Sequence, residues 1–428
     1  MFFVLSYLSL SLKPILLIPG HGGTNVRATL TNPSLHPECP ADLINNFEFW
    51  PPNSTFVTEH ADCMGKLLRC VYDKKSNTIN HIDGIKFDVN EFGDLTTLPF
   101  YTKLVNFLVK EKGYTVSKNI FGLPYDWILY YAGLPPTFFD DIKNFIQNIS
   151  VNNHNKPVVI AGHSLGTHVI RMFLNSPFVD KNWIEKYIDS IVFIAPAFSG
   201  CFSSFDMVVR GAFSTLPYNE VTRPSVYQMP SLHVLFQNYE VYENEPIFEI
   251  NDTFSVKANG AIDFLLENDK MNEEGYFIFK NFVEESSLKH KFYEPKDYSL
   301  KTFTLLNSGI KTHVGYNVDD NYSRVYGNGD GMCAAKGMNL TCLDNWKNAE
   351  CYDFNVDNED EFGHATMVDA HELHVRFWDF VTEQSSPKTN NAWLLAGFII
   401  AIVVIVIISG IIFYFIYKKK NNGFTQMK

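Results

Sequence analysis

A serine stands between small residues in Gly162-His163-Ser164-Leu165-Gly166, which fits the pattern Gly-x-Ser-x-Gly. The apolar run 157–161 (PVVIA) precedes it, and residues 167–174 carry a helical pattern after it. That is the strand-to-helix setting in which such a serine sits on a sharp turn with its hydroxyl presented outward. A serine hydroxyl is a weak nucleophile at neutral pH. It needs a general base, and the base needs an acid to orient it. On a nucleophile of this kind the chain order is serine, acid, histidine. The expected acid is Asp330, in the Gly-rich stretch Tyr326-Gly327-Asn328-Gly329-Asp330-Gly331 after the strand-like SRVY. An EF-hand loop there would need an oxygen ligand at Tyr326, so calcium is not the expected reading. The expected base is His364, in Gly363-His364-Ala365-Thr366-Met367 just ahead of the last amphipathic segment.

His371 and His374 lie within that segment. Their spacing of three misses the spacing of four in His-Glu-x-x-His, so they read as surface or packing residues. Acyl chemistry at Ser164 would also require donors for an oxyanion. Losing one such donor costs roughly 3–4 kcal/mol. The expected donors are the backbone N–H groups of Leu165, next to the nucleophile, and of His21, in the loop after the first strand. The His21 imidazole need not take part.

These residues must be held by a scaffold. Residues 13–20 (KPILLIPG) read as a buried parallel strand running into a tight loop at 21–24. Residues 100–112 and 138–149 have helical spacing, and 190–196 (SIVFIAP) is the next strand. Strand and helix thus alternate from about 100 to 196, the pattern of a parallel sheet covered by helices. Residues 200–300 break it with aromatics and prolines of no clear period, and read as a cap. Strand-like patterning resumes at 301–307 and 312–316, and 365–382 is the last helix. Residues 39–63 read as irregular and rich in aromatics.

The chain has 428 residues and a net charge of -12. It is long enough to bury a large core, and its acidity argues against a nucleic-acid partner. Residues 393–417 carry no charged side chain. As a helix they would run roughly 37 Å at about 1.5 Å per residue, enough to cross a bilayer core of about 30 Å. Lys418, Lys419 and Lys420 follow, which places the 418–428 tail in the cytoplasm and the bulk of the chain in the lumen or outside. Sequons at Asn53, Asn148, Asn251, Asn321 and Asn339 fit that side. Residues 1–12 are apolar like a signal segment, without a basic start, and 383–392 is a polar linker. Seven cysteines in such a topology allow disulfides and leave at least one unpaired. No Cys-x-x-Cys pair is present, so a metal site is not expected.

Several stretches together resemble the lecithin:cholesterol acyltransferase family, over roughly residues 13–382. PILLIPGHGGTNVRATL looks like that family's first strand and oxyanion loop. Pro124-Tyr125-Asp126-Trp127 is similar to its P-Y-D-W-R signature, with Ile128 in place of the arginine and any ion pair of that arginine lost. AGHSLG resembles its nucleophile turn. Gly329-Asp330-Gly331 resembles its G-D-G-T-V loop, with Met332-Cys333 in place of Thr-Val. His364 and Met367 match its H-x-x-M, and Ala195-Pro196 the start of its A-P-W-G-G.

The resemblance implies an α/β-hydrolase fold with a cap, joined here to one C-terminal transmembrane helix. It implies a serine-dependent phospholipid acyl hydrolase or O-acyltransferase that uses Ser164, Asp330 and His364 with no cofactor. The donor would be a phospholipid, the acceptor water or a lipid alcohol, and the bilayer a partner. Cys39 and Cys63 resemble the pair that closes the family's membrane-binding loop, here 39–63, with Trp50 at its tryptophan. Leu43, Ile44, Phe47, Phe49, Trp50 and Phe56 would give that loop an apolar face for lipid. Cys342 resembles one half of a second disulfide, with no cysteine at the usual upstream place. The competing readings are an esterase or peptidase on the same fold, and a lipid-binding membrane protein with a degenerate site.

Overall fold

Residues 15–18 are apolar and buried at every position, as a strand covered on both faces demands. The computed structural model describes residues 12–40, 45–212, 221–251, 254–289, 300–343 and 346–383. Its central strands are β1 (Ile15–Ile18), β2 (Ile120–Gly122), β3 (Val158–His163), β4 (Ile188–Ile194) and β5 (Lys301–Leu306). A hairpin of β6 (Ile310–Asn317) and β7 (Ser323–Gly329) follows, and then β8 (Ala349–Asp353). The central sheet has the order β8-β5-β4-β3-β1-β2 and is parallel throughout. The chain builds outward from β1 to β2 and then returns to the other side of β1 with β3. That reversal opens a crevice at the carboxyl ends of β1 and β3, where parallel sheets place their ligands.

Helices cover the sheet. They include α1 (Thr102–Lys112), α2 (Phe138–Asn152), α3 (Leu165–Leu174) and α4 (Lys181–Tyr187). Helix α2 buries Phe138, Ile142, Ile146 and Ile149, one stripe at helical spacing, and leaves its acidic first turn outside. Helix α3 is buried at nine of its ten residues, because it sits between the sheet and the cap. The cap begins with α5 (Phe202–Arg210) and contains a four-stranded sheet of Phe254–Lys257, Pro246–Asn251, β6 and β7. The last helix, α6, is His371–Glu383.

The expected strands at 13–20, 157–161 and 190–196 are β1, β3 and β4. Three points differ from expectation. The strand-like 312–316 belongs to β6 in the cap sheet rather than to the central sheet. Strand β8, an edge strand, was not visible in sequence. Its residues AECYD are mostly half-buried or exposed, so no apolar alternation marks them. Residues 39–63 are more regular than expected, with a strand at Phe47–Trp50 and helices at Ser54–Glu59 and Ala61–Leu67.

That strand corrects one residue. Phe49 was expected to face lipid, but it is fully buried and packs on Phe87 of the strand Ile85–Asp88, which lies across Val26–Leu30 in the same sheet, ring centroids 4.8 Å apart. Side chains alternate across a strand, and Phe49 falls on the inner face. Phe47 is half-buried against Phe49 and Phe56. Leu43, Ile44, the 1–11 segment and the apolar 393–417 lie outside the described residues. Among the described residues no helix is long and apolar enough to cross a membrane.

Three disulfides pair Cys39 with Cys63, Cys201 with Cys333 and Cys342 with Cys351, leaving Cys70 free and buried. The partner of Cys342 therefore lies nine residues downstream, on β8, not upstream. Among the described residues, one group of side chains has metal-ligand spacing, Cys201, Cys333 and His364 within 4.8 Å, and its two sulfurs are bonded to each other.

Candidate active site

Ser164 follows the last residue of β3 and precedes the first of α3, with φ +53° and ψ -122°. This is a costly conformation for a side chain with a Cβ, of order 1–3 kcal/mol, and it persists because the turn is over-determined. The Ser164 N–H donates to the Ile194 carbonyl at 3.1 Å, which ties the turn to β4. Gly166 lies so close to β1 that an added Cβ would come within 2.3 Å of the Ile18 carbonyl oxygen. Only a glycine lets helix and strand approach this far.

The three residues read from sequence converge. His364 Nε2 lies 2.7 Å from Ser164 Oγ, and His364 Nδ1 lies 2.6 Å from Asp330 Oδ2. All three are buried. An ionised carboxylate can only accept, so Nδ1 carries the proton and Nε2 offers a lone pair to the serine O–H. That is the tautomer a general base needs. Asp330 Oδ1 is held by the N–H groups of Met332 at 3.1 Å and Cys333 at 2.8 Å. The His364 N–H donates to the Asp330 carbonyl at 2.8 Å, which locks the base loop to the acid loop. Asn307, just beyond β5, donates to the carbonyls of Val356 and Phe362 and braces the chain on the way to His364.

His163 was missed in sequence because a histidine inside the serine motif looks interchangeable there. Its Nε2 donates to the His364 carbonyl at 2.8 Å, so it props the base from behind. Burial, with His364 nearby, lowers its pKa to about 3 and keeps it neutral.

The loop after β1 is pinned from several sides. Gly20, His21, Gly22 and Gly23 form a turn closed by the Gly23 N–H on the Gly20 carbonyl at 3.0 Å, with Gly22 at φ +68°. A positive φ at the third position is what a type II turn requires. The aromatic donors Tyr101, Tyr125, Trp50 and Trp127 take the carbonyls of Ile18, Pro19, Gly22 and Thr24 in turn. A loop anchored by its carbonyls is held rigid, as a preorganised donor site must be. Gly20 touches the nucleophile, since a Cβ added there would come within 2.8 Å of Ser164 Cβ. Leu165 is the first residue of α3, so its N–H has no acceptor within the helix. The His21 imidazole packs on Trp127 and meets Ser231 Oγ in the cap at 3.2 Å.

Asp126 is paired within the described structure. Its Oδ2 lies 2.6 Å from His81 Nε2, and its Oδ1 accepts from the N–H groups of Ile128 and Leu129. Ile128 itself is fully buried in the core. No spacing in the sequence points to His81.

A cavity of about 200 Å³ opens over the nucleophile, lined in part by His21, Trp50, Phe100, Ser164, Met332 and His364. Phe100 and Met332 are 38% and 40% exposed, so its wall reaches the surface through apolar side chains. Of the three expected lipid residues, Trp50 lines this cavity. A larger hollow of about 430 Å³ lies among cap strands beside Glu249, Asn251, Asn317 and Asp319. Ser255 lines it, but no histidine is among its described lining residues, so size does not decide between the two.

Burial holds several imidazoles neutral in the folded chain, among them His21 and His163 at about 3, His233 at about 4 and His168 well below its usual range. Unfolded, each has a pKa near 6.5. Below that value the unfolded chain takes up protons that the folded chain refuses. The stability from each is therefore fully present above about 6.5 and is lost as pH falls toward 3–4, at up to roughly 1.4 kcal/mol per pH unit. Thermal unfolding of the purified chain should show a lower midpoint at pH 4.5 than at pH 7, and His233→Gln should lose less on acidification. Equal midpoints for the parent chain at both pH values would contradict this.

Comparison with known proteins places this geometry in context. Residues 46–285 match the family model described as Lecithin:cholesterol acyltransferase. That match includes Ser164, whereas Asp330 and His364 lie beyond it. The phosphatidylcholine-sterol acyltransferase of Mus musculus is 22% identical over 381 residues, 83% of this chain and 82% of the relative. The lysosomal phospholipase A and acyltransferase of Bos taurus is 26% identical over 219 residues, 48% of this chain and 53% of the relative. Among solved structures, a chain of the Tle4-Tli4 complex superposes with a TM-score of 0.50 at 12% identity, covering 87% of this chain and 98% of that one. At that identity the likeness speaks to fold.

Proposed function

The chain belongs to the lecithin:cholesterol acyltransferase family, and from that premise we propose that it is an acyl-transfer enzyme of membrane phospholipids working through an acyl-enzyme at Ser164. The observation that carries this reading is the unbroken line Ser164 Oγ, His364 Nε2, His364 Nδ1, Asp330 Oδ2, with spacings of 2.7 and 2.6 Å.

In the first step Ser164 Oγ attacks the ester carbonyl of the phospholipid while His364 Nε2 takes its proton. Asp330 stabilises the imidazolium and keeps the ring in place. The N–H groups of Leu165 and His21 receive the developing oxyanion. The imidazolium then protonates the leaving lysolipid oxygen. In the second step the same imidazole deprotonates water or a lipid alcohol, which attacks the acyl carbonyl; the bond to Ser164 Oγ breaks and the imidazolium returns a proton to that oxygen. No step calls for a metal or an organic cofactor.

Support for lipid over a soluble ester comes from the apolar mouth. Trp50, Phe100 and Met332 would meet the acyl chains of a lipid lifted from a bilayer. Three disulfides support an oxidising compartment, the lumen or the outside, for the catalytic part. The apolar 393–417 segment would anchor it there.

The test is to incubate the full chain with phosphatidylcholine vesicles labelled in the acyl chain, with and without cholesterol, diacylglycerol or ceramide in the bilayer. Labelled fatty acid is expected in plain vesicles, and a labelled ester with whichever alcohol is accepted. Turnover of short soluble esters or peptides with none on vesicles would overturn the lipid assignment.

A further inference from the structure

Asp330 is not delivered by a strand of the central sheet. Strand β5 ends at Leu306, and the chain first makes the β6–β7 hairpin within the cap sheet. Only then does it turn, so the carboxylate that orients His364 hangs from the cap. Movement of the cap against the central sheet would carry the acid away from the base.

Helix α5 ties the loop down at three levels. Cys201, the residue capping its N-terminus, is bonded to Cys333, a link spanning 132 positions. The N–H of Ser203, in its first turn, donates to the Met332 carbonyl at 3.3 Å. Further along, Asp206 accepts from Arg324 on β7 and from the Tyr316 hydroxyl on β6, the latter at 2.7 Å. Burial alone would raise the Asp206 pKa. The hydrogen bonds from Arg324 and Tyr316, with the charges of Arg210 and Arg324, outweigh it and keep the carboxylate ionised.

The covalent tie reaches the reacting machinery in one residue, because the Cys333 N–H donates to Asp330 Oδ1 at 2.8 Å. The same helix lines the cavity over the nucleophile through Ser203, Ser204 and Met207. Met332-Cys333 stands where the resembled pattern has Thr-Val, so that pattern does not itself call for the bridge.

We propose that α5 is a positioning splint for the acid loop, and that the Cys201–Cys333 bridge is the link by which it holds the Asp330 carboxylate in line with His364. This rests on the acyl-transfer reading above. Both cysteines are positioning residues and touch no reacting atom.

The experiment replaces both at once, Cys201→Ala with Cys333→Val, in the full chain, and follows kcat, KM and the pH profile of kcat on phosphatidylcholine vesicles. Misplacement of a catalytic group by an ångström costs about 100-fold. The folded double variant is therefore expected to lose about 10- to 100-fold in kcat with KM within about twofold of the parent. The acid limb of its kcat profile should move to lower pH, because a carboxylate held less closely stabilises the imidazolium less. A folded double variant with parental kcat and an unmoved acid limb overturns the splint. If the double variant does not fold, Arg324→Gln carries the test. It removes the Arg324 share of the Asp206 tie, leaves the Tyr316 bond and the disulfide in place, and should lower kcat several-fold with the same displacement of the acid limb; a parental profile there overturns the proposal equally. Ser164→Ala is run alongside. Surviving activity in that variant sinks the acyl-transfer reading itself, whereas a fully active, Ser164-dependent double variant sinks the splint alone.

Discussion

Replacing Ser164 with alanine is expected to lower acyl release from phosphatidylcholine vesicles by about 10⁶-fold in kcat, the scale seen when the nucleophile of a serine triad is removed. The argument is local. The hydroxyl oxygen lies 2.7 Å from His364 Nε2, at a strained backbone position. Alanine fits the same turn and removes one oxygen from a site that opens to a cavity. The variant should therefore fold with an unfolding midpoint near the parent's and bind vesicles as before. A loss smaller than about 10³-fold would mean that another group attacks the ester, and the mechanism would have to be abandoned.

Asp330→Asn is expected to lower kcat by about 10⁴-fold while leaving KM for vesicles close to the parent value. The substitution is nearly isosteric. Its amide oxygen can still accept from the N–H groups of Met332 and Cys333. The amide nitrogen then faces His364 Nδ1, where Oδ2 now accepts at 2.6 Å. An amide donates, so the imidazole is driven to carry its proton on Nε2. That nitrogen can then no longer take the proton of Ser164. Steady-state kinetics separate the cases. A fall in kcat alone supports the orienting role, and a loss under about tenfold would show that Asp330 is a structural turn residue.

The reacting residues were legible in sequence because their chemistry constrains them locally. Ser164 needs a strand before it, a helix after it and glycines beside it, and all of these leave marks in PVVIAGHSLG. The central strands were legible for a related reason. A strand buried on both faces is an unbroken apolar run, as in β1, β3 and β4.

What escaped notice depends on contacts between distant segments. Phe49 sits in an aromatic cluster that reads equally well as a lipid-facing loop, and only the pairing of Phe47–Trp50 with Val26–Leu30, which skips Phe49 at an irregularity, buries it. His81 meets Asp126 from 45 positions away, with no motif around it. Strand β8 is an edge whose side chains are largely outside the core, so no periodicity announces it. The pairing of Cys201 with Cys333 is likewise a fact of topology, since cysteine number restricts pairings without choosing among them.

The most direct test of the account is to catch the intermediate. The full chain is mixed with a long-chain 4-nitrophenyl ester, quenched in acid within the first turnovers, digested, and its peptides weighed. The account predicts a single acyl group on the peptide that contains Ser164, absent in Ser164→Ala and accumulating when nitrophenolate is released in a burst. An acyl group on another residue, or steady turnover with no acylated peptide at any time, would contradict it.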